Sequence, residues 1–377
     1  MSFLSKYINL EGDKTIWGIV FSLLVLSVLM VFSIEGQSVL LKHIRNIIIA
    51  LIVMYAVHKL KFKYFSKLSV VAVLASVVLL IVVYFIGSEI NGAKRWISLG
   101  GLSFQPSDLA KIAILVFLAR QISKYRDYLE DFKGVFWYLL APLLVICFLI
   151  LPSNFSTAAL LFFNGIVLMI IGKIRAKFIL SILAFALGGV SLIYIGGKYV
   201  EPFQKMMPRS VTWASRIDGF ITQSENNVMN EGHQLNQAKI AIQNGGIFGK
   251  GPGKGIQRHF LYAGSSDFIY AIMIEQYGLI IGGLAPIFLY LLFFYRSVII
   301  SGNSESVFGT LLVAGLSFAL VFQAISNMAV NVGLFPVTGQ TLPLISKGGT
   351  SIIFTCMAIG IILSVSRNTK DRDYEKA

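Results

Sequence analysis

The sequence predicts an all-α integral membrane protein of about ten transmembrane helices, and three observations carry that prediction. Hydrophobic residues make up 56% of the 377 residues, charged residues only 13%, and the mean hydropathy is +0.77. A soluble domain carries about 25% charged residues. The apolar residues also fall into runs of about 20, the length that a helix needs to cross a bilayer. A large soluble domain is therefore excluded.

Ten apolar runs follow one another along the chain, and one connection is much longer than the rest. The predicted spans are 15–34, 44–58, 68–87, 105–122, 134–151, 155–172, 177–196, 267–294, 306–330 and 349–366. The second span is the shortest. A long polar loop at 197–266 separates the seventh span from the eighth, within one polytopic membrane domain that covers 1–377.

Lysine and arginine in the short loops predict the orientation. The connections richer in these residues carry Lys59, Lys61, Lys63, Lys67, Arg120, Lys124, Arg126, Lys133, Lys173, Arg175, Lys177 and Arg296. Cytoplasmic loops hold an excess of basic residues, so both termini are predicted to be cytoplasmic and the loop 197–266 extracytoplasmic. The net charge of +14 lies in these loops. It therefore indicates topology and contact with anionic lipid, not nucleic acid.

Neither the cysteines nor the N-terminus adds a further constraint. Cys147 and Cys356 lie in separate apolar runs, so no disulfide or metal-binding spacing is present. Charged residues precede the first apolar run and no small-residue cleavage site follows it, which predicts a retained first span.

Asp267 lies where a glycine-rich, basic loop at 245–255 leads into the eighth apolar run. A carboxylate at the membrane–water boundary is only partly desolvated, which makes it a stronger base while it stays ionised. Such a group suits removal of a proton from a lipid-linked substrate. The alternative is that Asp267 caps a helix that starts at Phe268. The glycine loop lacks the Walker A spacing, so it is not a nucleotide-binding motif.

The connection 92–112 offers candidate cations for a phosphate group. Lys94, Arg95 and Lys111 are the residues concerned. The alternative is local neutralisation, because Asp108 and Lys111 are three residues apart and share a helix face. Pro106 suits the first turn of that helix in either case.

The long loop contains a second candidate phosphate site. Arg209 and Arg216 are seven residues apart, which places them on one face of a helix, where two guanidinium groups can clamp a diphosphate. Pairing with Asp218, or contact with lipid headgroups, explains the same spacing equally well. Further on, the pattern from Leu235 to Ile242 predicts a short interfacial helix.

Residues 331–351 join the last two spans and cannot form one continuous helix. They contain Pro336, Gly339, Pro343, Gly348 and Gly349. Irregular backbone at membrane depth is tolerated only when it is buried in protein or lines a cavity. We therefore expect this segment to form a cavity wall, with Ser346, Lys347 and Thr350 as candidate lining residues.

With these motifs, the chain resembles the SEDS family of bacterial cell-wall polymerases, the FtsW/RodA group. The resemblance covers nearly the whole chain and rests on NGAKRW at 91–96, QPSDLAK at 105–111, TWASRI at 212–217, GGIFGKGPGKG at 245–255, DFIYAIMIEQYG at 267–278 and PVTGQTLPLISKGGTS at 336–351. It implies ten spans with a large outer loop between the seventh and eighth. It also implies a peptidoglycan glycosyltransferase of the bacterial cytoplasmic membrane that polymerises lipid II with a class B penicillin-binding protein transpeptidase. Asp267 matches the essential acid of the family.

The chain also departs from the family pattern. Asn154 stands where members usually have an acid, Tyr262 and Ala263 replace a Pro-Glu pair, and Asp108 often is Glu. Lys347 replaces a usual Tyr or Met. Glu275 remains as a possible second carboxylate on the helix that follows Asp267. The motifs NFSTA and PVTGQTLPLIS are more similar to those of division-type members than to those of elongation-type members, which favours a role in division.

The resemblance implies inverting glycosyl transfer with Asp267 as the base. The candidate cations around the leaving diphosphate are Lys94, Arg95, Lys111, Arg209, Arg216 and Lys347. A divalent cation, Mg²⁺ or Mn²⁺, is a possible further contributor, although no ligand cluster marks its site. Two rival functions remain open at this point. One is a flippase or transporter of the lipid-linked precursor that uses the same cavity, and the other is a non-catalytic scaffold.

Overall fold

Helices make up most of the computed structural model, as the apolar runs predict. The structure describes residues 10–90, 93–99, 102–207, 209–222 and 231–375. Asn91 and Gly92 of the NGAKRW motif, and residues 223–230 of the long loop, lie outside the described residues.

The helices are α1 (Lys14–Glu35), α2 (Gln37–Lys59), α3 (Lys63–Ile86), α4 (Pro106–Lys124), α5 (Phe132–Val135), α6 (Ala141–Ile150), α7 (Phe155–Ile171), α8 (Ala176–Tyr199), α9 (Glu201–Met206), α10 (Arg209–Thr222), α11 (Glu231–Gly245), α12 (Ile269–Gly278), α13 (Ala285–Gly302), α14 (Val307–Asn331) and α15 (Ser351–Glu375). Single π-helical turns join α5 to α6 and α12 to α13. Each pair therefore continues as one long helix, Phe132–Ile150 and Ile269–Gly302.

Every predicted span coincides with one of these long helices, and the all-helical membrane class is confirmed. Within the described residues, eight helices are long and apolar enough to cross a membrane, and Phe155–Ile171 is a shorter apolar helix. The remaining helix, α4, has four charged residues along its 19 positions, including Asp108 and Lys111. The number of ten spans stays a prediction.

A small antiparallel sheet interrupts the helices between α3 and α4, which the sequence did not predict. Its strands are β1 (Ser88–Ile90), β2 (Ala93–Leu99) and β3 (Leu102–Phe104), in the order β1-β2-β3. Ser88 pairs with Trp96, and Ile97 pairs with Phe104. The hairpins fix the backbone around Arg95 and deliver the chain to Pro106, which is the first residue of α4.

The second helix is longer than predicted. It begins at Gln37, directly after Gly36, which adopts φ +79 and lets α1 turn into α2. The residues before 44 are partly polar, so hydropathy alone placed the start of the span at 44. Those additional turns of α2 carry cavity-lining residues.

Polar contacts mark the two ends of the helical bundle. At the far end, which is the end where α1 begins and α2 finishes, Arg296 pairs with Asp13 and Lys59 pairs with Glu11 at 3.0 Å. Ser364 also donates to the carbonyl of Leu60 there, at 2.5 Å. At the other end, Lys347 pairs with Glu35 at 2.9 Å. This second end, where α1 finishes and α2, α4, α7 and α15 begin, holds the candidate site.

Candidate active-site cavity

A polar cavity occupies this end of the helical bundle. It encloses about 1690 Å³, part of which is open to solvent. Its wall combines the first turns of α2, α4, α7 and α15 with β2, the segment before α12 and the irregular segment before α15. The polar and charged lining residues are Lys42, His43, Arg45, Asn46, Arg95, Ser103, Gln105, Asp108, Lys111, Asn154, Thr157, Ser266, Asp267, Gln340, Thr341, Lys347, Thr350 and Ser351.

Asp267 borders this cavity and is not the N-cap of the following helix. The N-cap residue of α12 is Phe268, and α12 begins at Ile269. The capping alternative for Asp267 is therefore wrong. The side chain of Asp267 is half-buried and lines the cavity.

Two buried asparagines of α14 hold the backbone of Asp267. The amide groups of Asn327 and Asn331 donate to its carbonyl oxygen at 2.8 and 2.9 Å. The side-chain oxygen of Asn331 also accepts from the N–H of Ala271 at 3.0 Å. Because both asparagines are almost fully buried, they fix the start of α12 against α14.

The same network continues into the opposite cavity wall. Asn327 also donates to the carbonyl of Gln340 at 2.7 Å, and the Gln340 amide donates to the Thr157 hydroxyl at 2.7 Å. Gly339, with φ +63, lies against the carboxylate, since a Cβ there would be 3.7 Å from Asp267 Oδ2. Asp267 is thus connected to α14, α7 and the irregular segment.

The irregular segment forms a cavity wall, as predicted. It runs from the end of α14 at Asn331 to the start of α15 at Ser351. Lys347 and Thr350 line the cavity, whereas Ser346 does not. The Ser346 hydroxyl accepts from the N–H of Leu342 at 2.8 Å and donates to the carbonyl of Ser266 at 2.6 Å. Its position therefore supports the loop next to Asp267.

Three arginines approach one another on the β2 side of the cavity. Arg95 donates through Nε to the carbonyl of Ser153 at 2.7 Å, and Arg209 donates to the same oxygen. Arg216 lies on α10 with Arg209, as the spacing predicted, and donates to the carbonyl of Val337 at 3.4 Å. Of the three, only Arg95 borders the cavity directly.

The electrostatic environment of Arg95 reflects this clustering. Burial, together with the charges of Arg209 and Arg216, lowers the pKa of Arg95 to about 10, while the charge of Asp267 acts in the opposite direction. An anion placed beside Arg95 would reduce the repulsion among the three guanidinium groups. Asp218 forms an ion pair with Lys198 at 2.8 Å, and the hydrogen bond from Lys198 lowers the pKa of Asp218.

The three candidate lysines differ in position and pairing. Lys111 lines the cavity and pairs with Asp108 at 2.8 Å, so the predicted local neutralisation is present. Lys347 lines the cavity and pairs with Glu35. Lys94 is exposed, donates to the carbonyl of Tyr84 at 3.3 Å and does not border the cavity. The structure therefore does not place Lys94 with the other candidates.

Glu275 is fully buried and holds the glycine-rich loop. Its carboxylate accepts from the N–H groups of Ile256 at 3.0 Å and Gln257 at 3.2 Å. The backbone of the same helix adds two bonds, because Lys250 and Gly251 donate to the carbonyls of Glu275 and Gln276, both at 2.9 Å. Glu275 does not line the cavity, so it does not supply the second carboxylate that the sequence suggested.

A narrower, mostly apolar cavity continues from the polar one toward the middle of the bundle. The two share Asp108, Lys111, Thr157, Gln340 and Ser351 in their walls. The continuation is lined largely by leucine, isoleucine and phenylalanine side chains of α4, α7 and α14. One end of the site is therefore polar and the other apolar.

The described residues do not fit a protein-held metal ion. Within these residues, no group of three or more His, Cys, Asp or Glu side chains is close enough to bind one. Asp108 and Asp267 border the same cavity, but Asp108 is already paired with Lys111.

Neither the buried asparagines Asn327 and Asn331 nor the cavity residue His43 was singled out from the sequence. The two asparagines are four residues apart in a largely apolar span, a spacing that places them on one helix face. Asn154, which the sequence did single out, is the N-cap of α7 and accepts from the N–H of Thr157 at 3.1 Å. His43 lies in the part of α2 that the predicted span omitted.

The fold and the site define a class of protein: a multi-pass helical membrane protein with a carboxylate and clustered cations in a cavity at one end of its bundle. A family model described as "Cell cycle protein", FTSW_RODA_SPOVE, matches residues 13–371. The chain belongs to the FtsW/RodA/SpoVE family.

Individual relatives agree with this family. The chain is 35% identical over 305 residues to the "Probable peptidoglycan glycosyltransferase FtsW" of Haemophilus influenzae, covering 79% of this chain and 73% of that protein. For the protein of the same name from Nitrosococcus halophilus, identity is 32% over 334 residues, with 86% and 81% covered.

Two solved structures share the fold. One chain comes from a structure described as "Structural coordination of polymerization and crosslinking by a peptidoglycan synthase complex", with TM-score 0.78, 24% identity and 95% of this chain and 98% of that chain covered. The other is the Thermus thermophilus rod shape determining protein RodA, with TM-score 0.68, 23% identity and 96% and 98% covered.

Proposed function

We propose that this protein is a peptidoglycan glycosyltransferase that polymerises lipid II into glycan strands. The observation that carries the proposal is the placement of Asp267 and Arg95 in the wall of one cavity with a polar and an apolar end. The names of the relatives support the same activity.

The reaction needs a base for the acceptor and positive charge for the leaving group. The acceptor sugar hydroxyl attacks the anomeric carbon of the donor with inversion, and its proton passes to Asp267. The new glycosidic C–O bond forms as the bond between the anomeric carbon and the diphosphate breaks. The diphosphate leaves with the bonding electron pair, and Arg95 stabilises its charge at the cavity wall.

The shape of the site suits a lipid-linked substrate. The polar cavity offers room for saccharide and diphosphate, and its apolar continuation offers contact for hydrocarbon. Arg209 and Arg216 strengthen the positive potential around Arg95 from behind the wall. Lys111 and Lys347 reach the cavity as members of ion pairs, so they contribute less net charge than Arg95.

We infer that the cavity faces outward and that both termini are cytoplasmic. The basic connections used for the orientation, such as those at Lys59 and Lys124, lie at the ends of α2 and α4 remote from the cavity. A class B penicillin-binding protein is the proposed partner, by analogy with the synthase complex whose fold matches. A division role remains our prediction from the sequence motifs.

A requirement for Mg²⁺ or Mn²⁺ stays a prediction of the family resemblance. Within the described residues, no group of three or more His, Cys, Asp or Glu side chains forms a metal-binding cluster.

The flippase alternative is less well supported. Ion-coupled transporters need a titratable group that is free to exchange its proton within the membrane. The deepest acid of α12, Glu275, instead accepts hydrogen bonds from the backbone of the glycine loop. No observation on the described residues favours lipid transport over glycosyl transfer.

The decisive experiment compares purified wild type with Asp267→Asn, each supplied with lipid II and a partner transpeptidase. Glycan chains are resolved on a gel. Loss of a general base typically costs about 100- to 10,000-fold, so we expect ladders from wild type and none from the variant.

Asp127→Asn is the matched control, because Asp127 is exposed in the connection between α4 and α5. It should give wild-type ladders. Equal ladders from Asp267→Asn would refute the assignment of the base, and folded wild type without ladders would refute the polymerase itself.

A further inference from the structure

His43 borders the cavity from a wall that the catalytic proposal does not use. Val39, Lys42, His43 and Asn46 line the cavity. Their spacing of three, four and seven residues places them on one face of α2. His43 is only 4% exposed, so the imidazole ring is embedded in the wall and reaches the cavity through a small part of its surface.

The hydrogen bonds of this ring determine which nitrogen carries the proton. His43 Nε2 lies 2.8 Å from Ser27 Oγ, and Ser27 Oγ lies 2.7 Å from the carbonyl oxygen of Ile345. A carbonyl only accepts and a hydroxyl has a single proton, so that proton lies between Ser27 and Ile345. The hydroxyl must then accept from the ring, which requires a proton on His43 Nε2.

The other ring nitrogen is consequently left as an acceptor. In the neutral imidazole with a proton on Nε2, Nδ1 carries a lone pair. Within the described residues, no hydrogen bond of the protein involves His43 other than the one to Ser27. Nδ1 is also not one of the sealed, unpartnered polar atoms of the interior. Because His43 lines the cavity, a bound ligand is the available source of a donor for Nδ1.

We propose that His43 is a substrate-recognition residue whose Nδ1 accepts a hydrogen bond from a neutral N–H or O–H donor of the bound saccharide. This inference rests on the proposed glycosyltransferase function. Amide and hydroxyl groups are the donors that an amino sugar carries, and a buried acceptor that is left unpaired by a wrong ligand discriminates strongly against it.

In the neutral ring, Nδ1 cannot donate a hydrogen bond to the diphosphate, because phosphate oxygens are themselves acceptors. The α2 wall therefore combines this neutral acceptor with the cations Lys42 and Arg45, and Arg95 on β2 presents a donor and a positive charge.

Two substitutions separate substrate recognition from a purely structural role. Gln at position 43 places an amide N–H near the former Nε2 and keeps the bond to Ser27, but has nothing at Nδ1. Asn places an amide oxygen near the former Nδ1 and keeps the acceptor, but loses the bond to Ser27. Thermal unfolding of His43→Gln and His43→Asn first establishes that both variants are folded.

Polymerisation of lipid II then gives kcat and KM for each variant with a partner transpeptidase present. One neutral hydrogen bond corresponds to about a 5- to 10-fold change. We expect His43→Gln to raise KM by about this factor and His43→Asn to retain the wild-type KM more closely. The opposite order, with His43→Gln active and His43→Asn impaired, would show that only the bond to Ser27 matters and would overturn the proposal.

A spectroscopic measurement tests the tautomer without any reliance on activity. Nitrogen-15 NMR of histidine-labelled protein distinguishes protonated from unprotonated ring nitrogens, and the His43→Gln spectrum identifies the signals of His43 among the four histidines. We expect protonated Nε2 and unprotonated Nδ1. A proton on Nδ1 would refute the proposal even in an active polymerase. A protein with the expected tautomer and no polymerisation would refute the proposed function instead.

Discussion

At the scale of single residues, the candidate site contains a charged group, Arg95, whose burial destabilises the folded protein. Burial and the neighbouring arginines lower the pKa of Arg95 to about 10. Because a lowered pKa disfavours the charged form in the folded state, protonated Arg95 costs stability until an anion approaches. Without an anion, this cost is relieved only as the pH rises through the folded pKa, far above the working range.

Inorganic diphosphate should therefore stabilise the folded protein. We expect it to raise the thermal unfolding temperature of wild type, since a ligand that binds only the folded state stabilises it by mass action. Arg95→Gln should lose most of this shift. The adjacent Lys94→Gln should retain it, because Lys94 does not border the cavity. An equal loss in both variants would mean that the effect is not specific to the cavity.

The amide of Asn327 should matter for turnover rather than for binding. Asn327→Asp keeps the shape of the side chain but replaces the donor that bridges the carbonyls of Asp267 and Gln340. A displacement of the base by about 1 Å costs on the order of 100-fold. We expect a fall of this order in kcat with little change in KM. Asn303→Asp, at the exposed end of α13, is the control.

Sequence reasoning located the charged residues of the site but not the side chains that hold them. Asp267, Arg95, Lys111 and Lys347 were all found because a charge in or near an apolar run is conspicuous. Asn327 and Asn331 act through backbone carbonyls, and such partners are set by packing between distant helices. The tautomer of His43 likewise depends on Ser27 and Ile345, from two other parts of the chain.

At the scale of structural elements, the glycine-rich loop is an ordered structure built on α12. Gly249, Gly251 and Gly253 have φ values of +78, +97 and +74, a backbone region that residues other than glycine rarely adopt. The sequence indicated that these glycines had a backbone role. It did not show that the buried carboxylate of Glu275 anchors the turn.

Glu275→Gln should weaken this loop. The amide offers one acceptor oxygen where the carboxylate offers two, and its NH2 group faces backbone N–H donors. Leaving buried polar groups unpaired costs about 1–3 kcal/mol, which we expect as a loss of unfolding free energy and as faster proteolysis within 249–258. Glu201→Gln, on the exposed first turn of α9, should leave both unchanged.

The element boundaries show where hydropathy fails. It gave α1, α7 and α14 to within one residue, because their ends coincide with changes in polarity. It missed the first turns of α2, which face a polar cavity, and the short β strands, whose pairing is local but whose residues are not strongly apolar.

At the scale of the whole molecule, ion pairs at the far end join the N-terminal segment to helices distant in sequence. The hydrogen bond from Lys59 lowers the pKa of Glu11, and Arg367 adds to the effect. Burial would raise the pKa of Asp13, but Arg296 and two backbone N–H groups lower it overall. The segment before α1 is thereby linked to α2, α13 and α15.

These ion pairs should make the stability of the folded protein depend on pH in the acidic range. A carboxyl group with a lowered folded pKa contributes stability above its unfolded pKa and loses it as the pH falls through the folded value. We expect the unfolding temperature of wild type to fall as the pH decreases below about 4.5, the unperturbed value for Glu11. Asp13→Asn should lower the temperature at neutral pH and flatten its dependence on acid. An identical pH dependence in this variant would contradict the role of the pair.

The uneven pairing of the cations around the cavity has a consequence for how a polymer grows. Arg95 ends on the neutral carbonyl of Ser153, whereas Lys111 and Lys347 each meet a carboxylate. The positive charge of the cavity wall therefore lies mainly at Arg95 on β2 and at Lys42 and Arg45 on α2. A substrate with one anionic end is held by that end in such a cavity, so each new unit is bound in the same orientation and the strand acquires one chemical polarity.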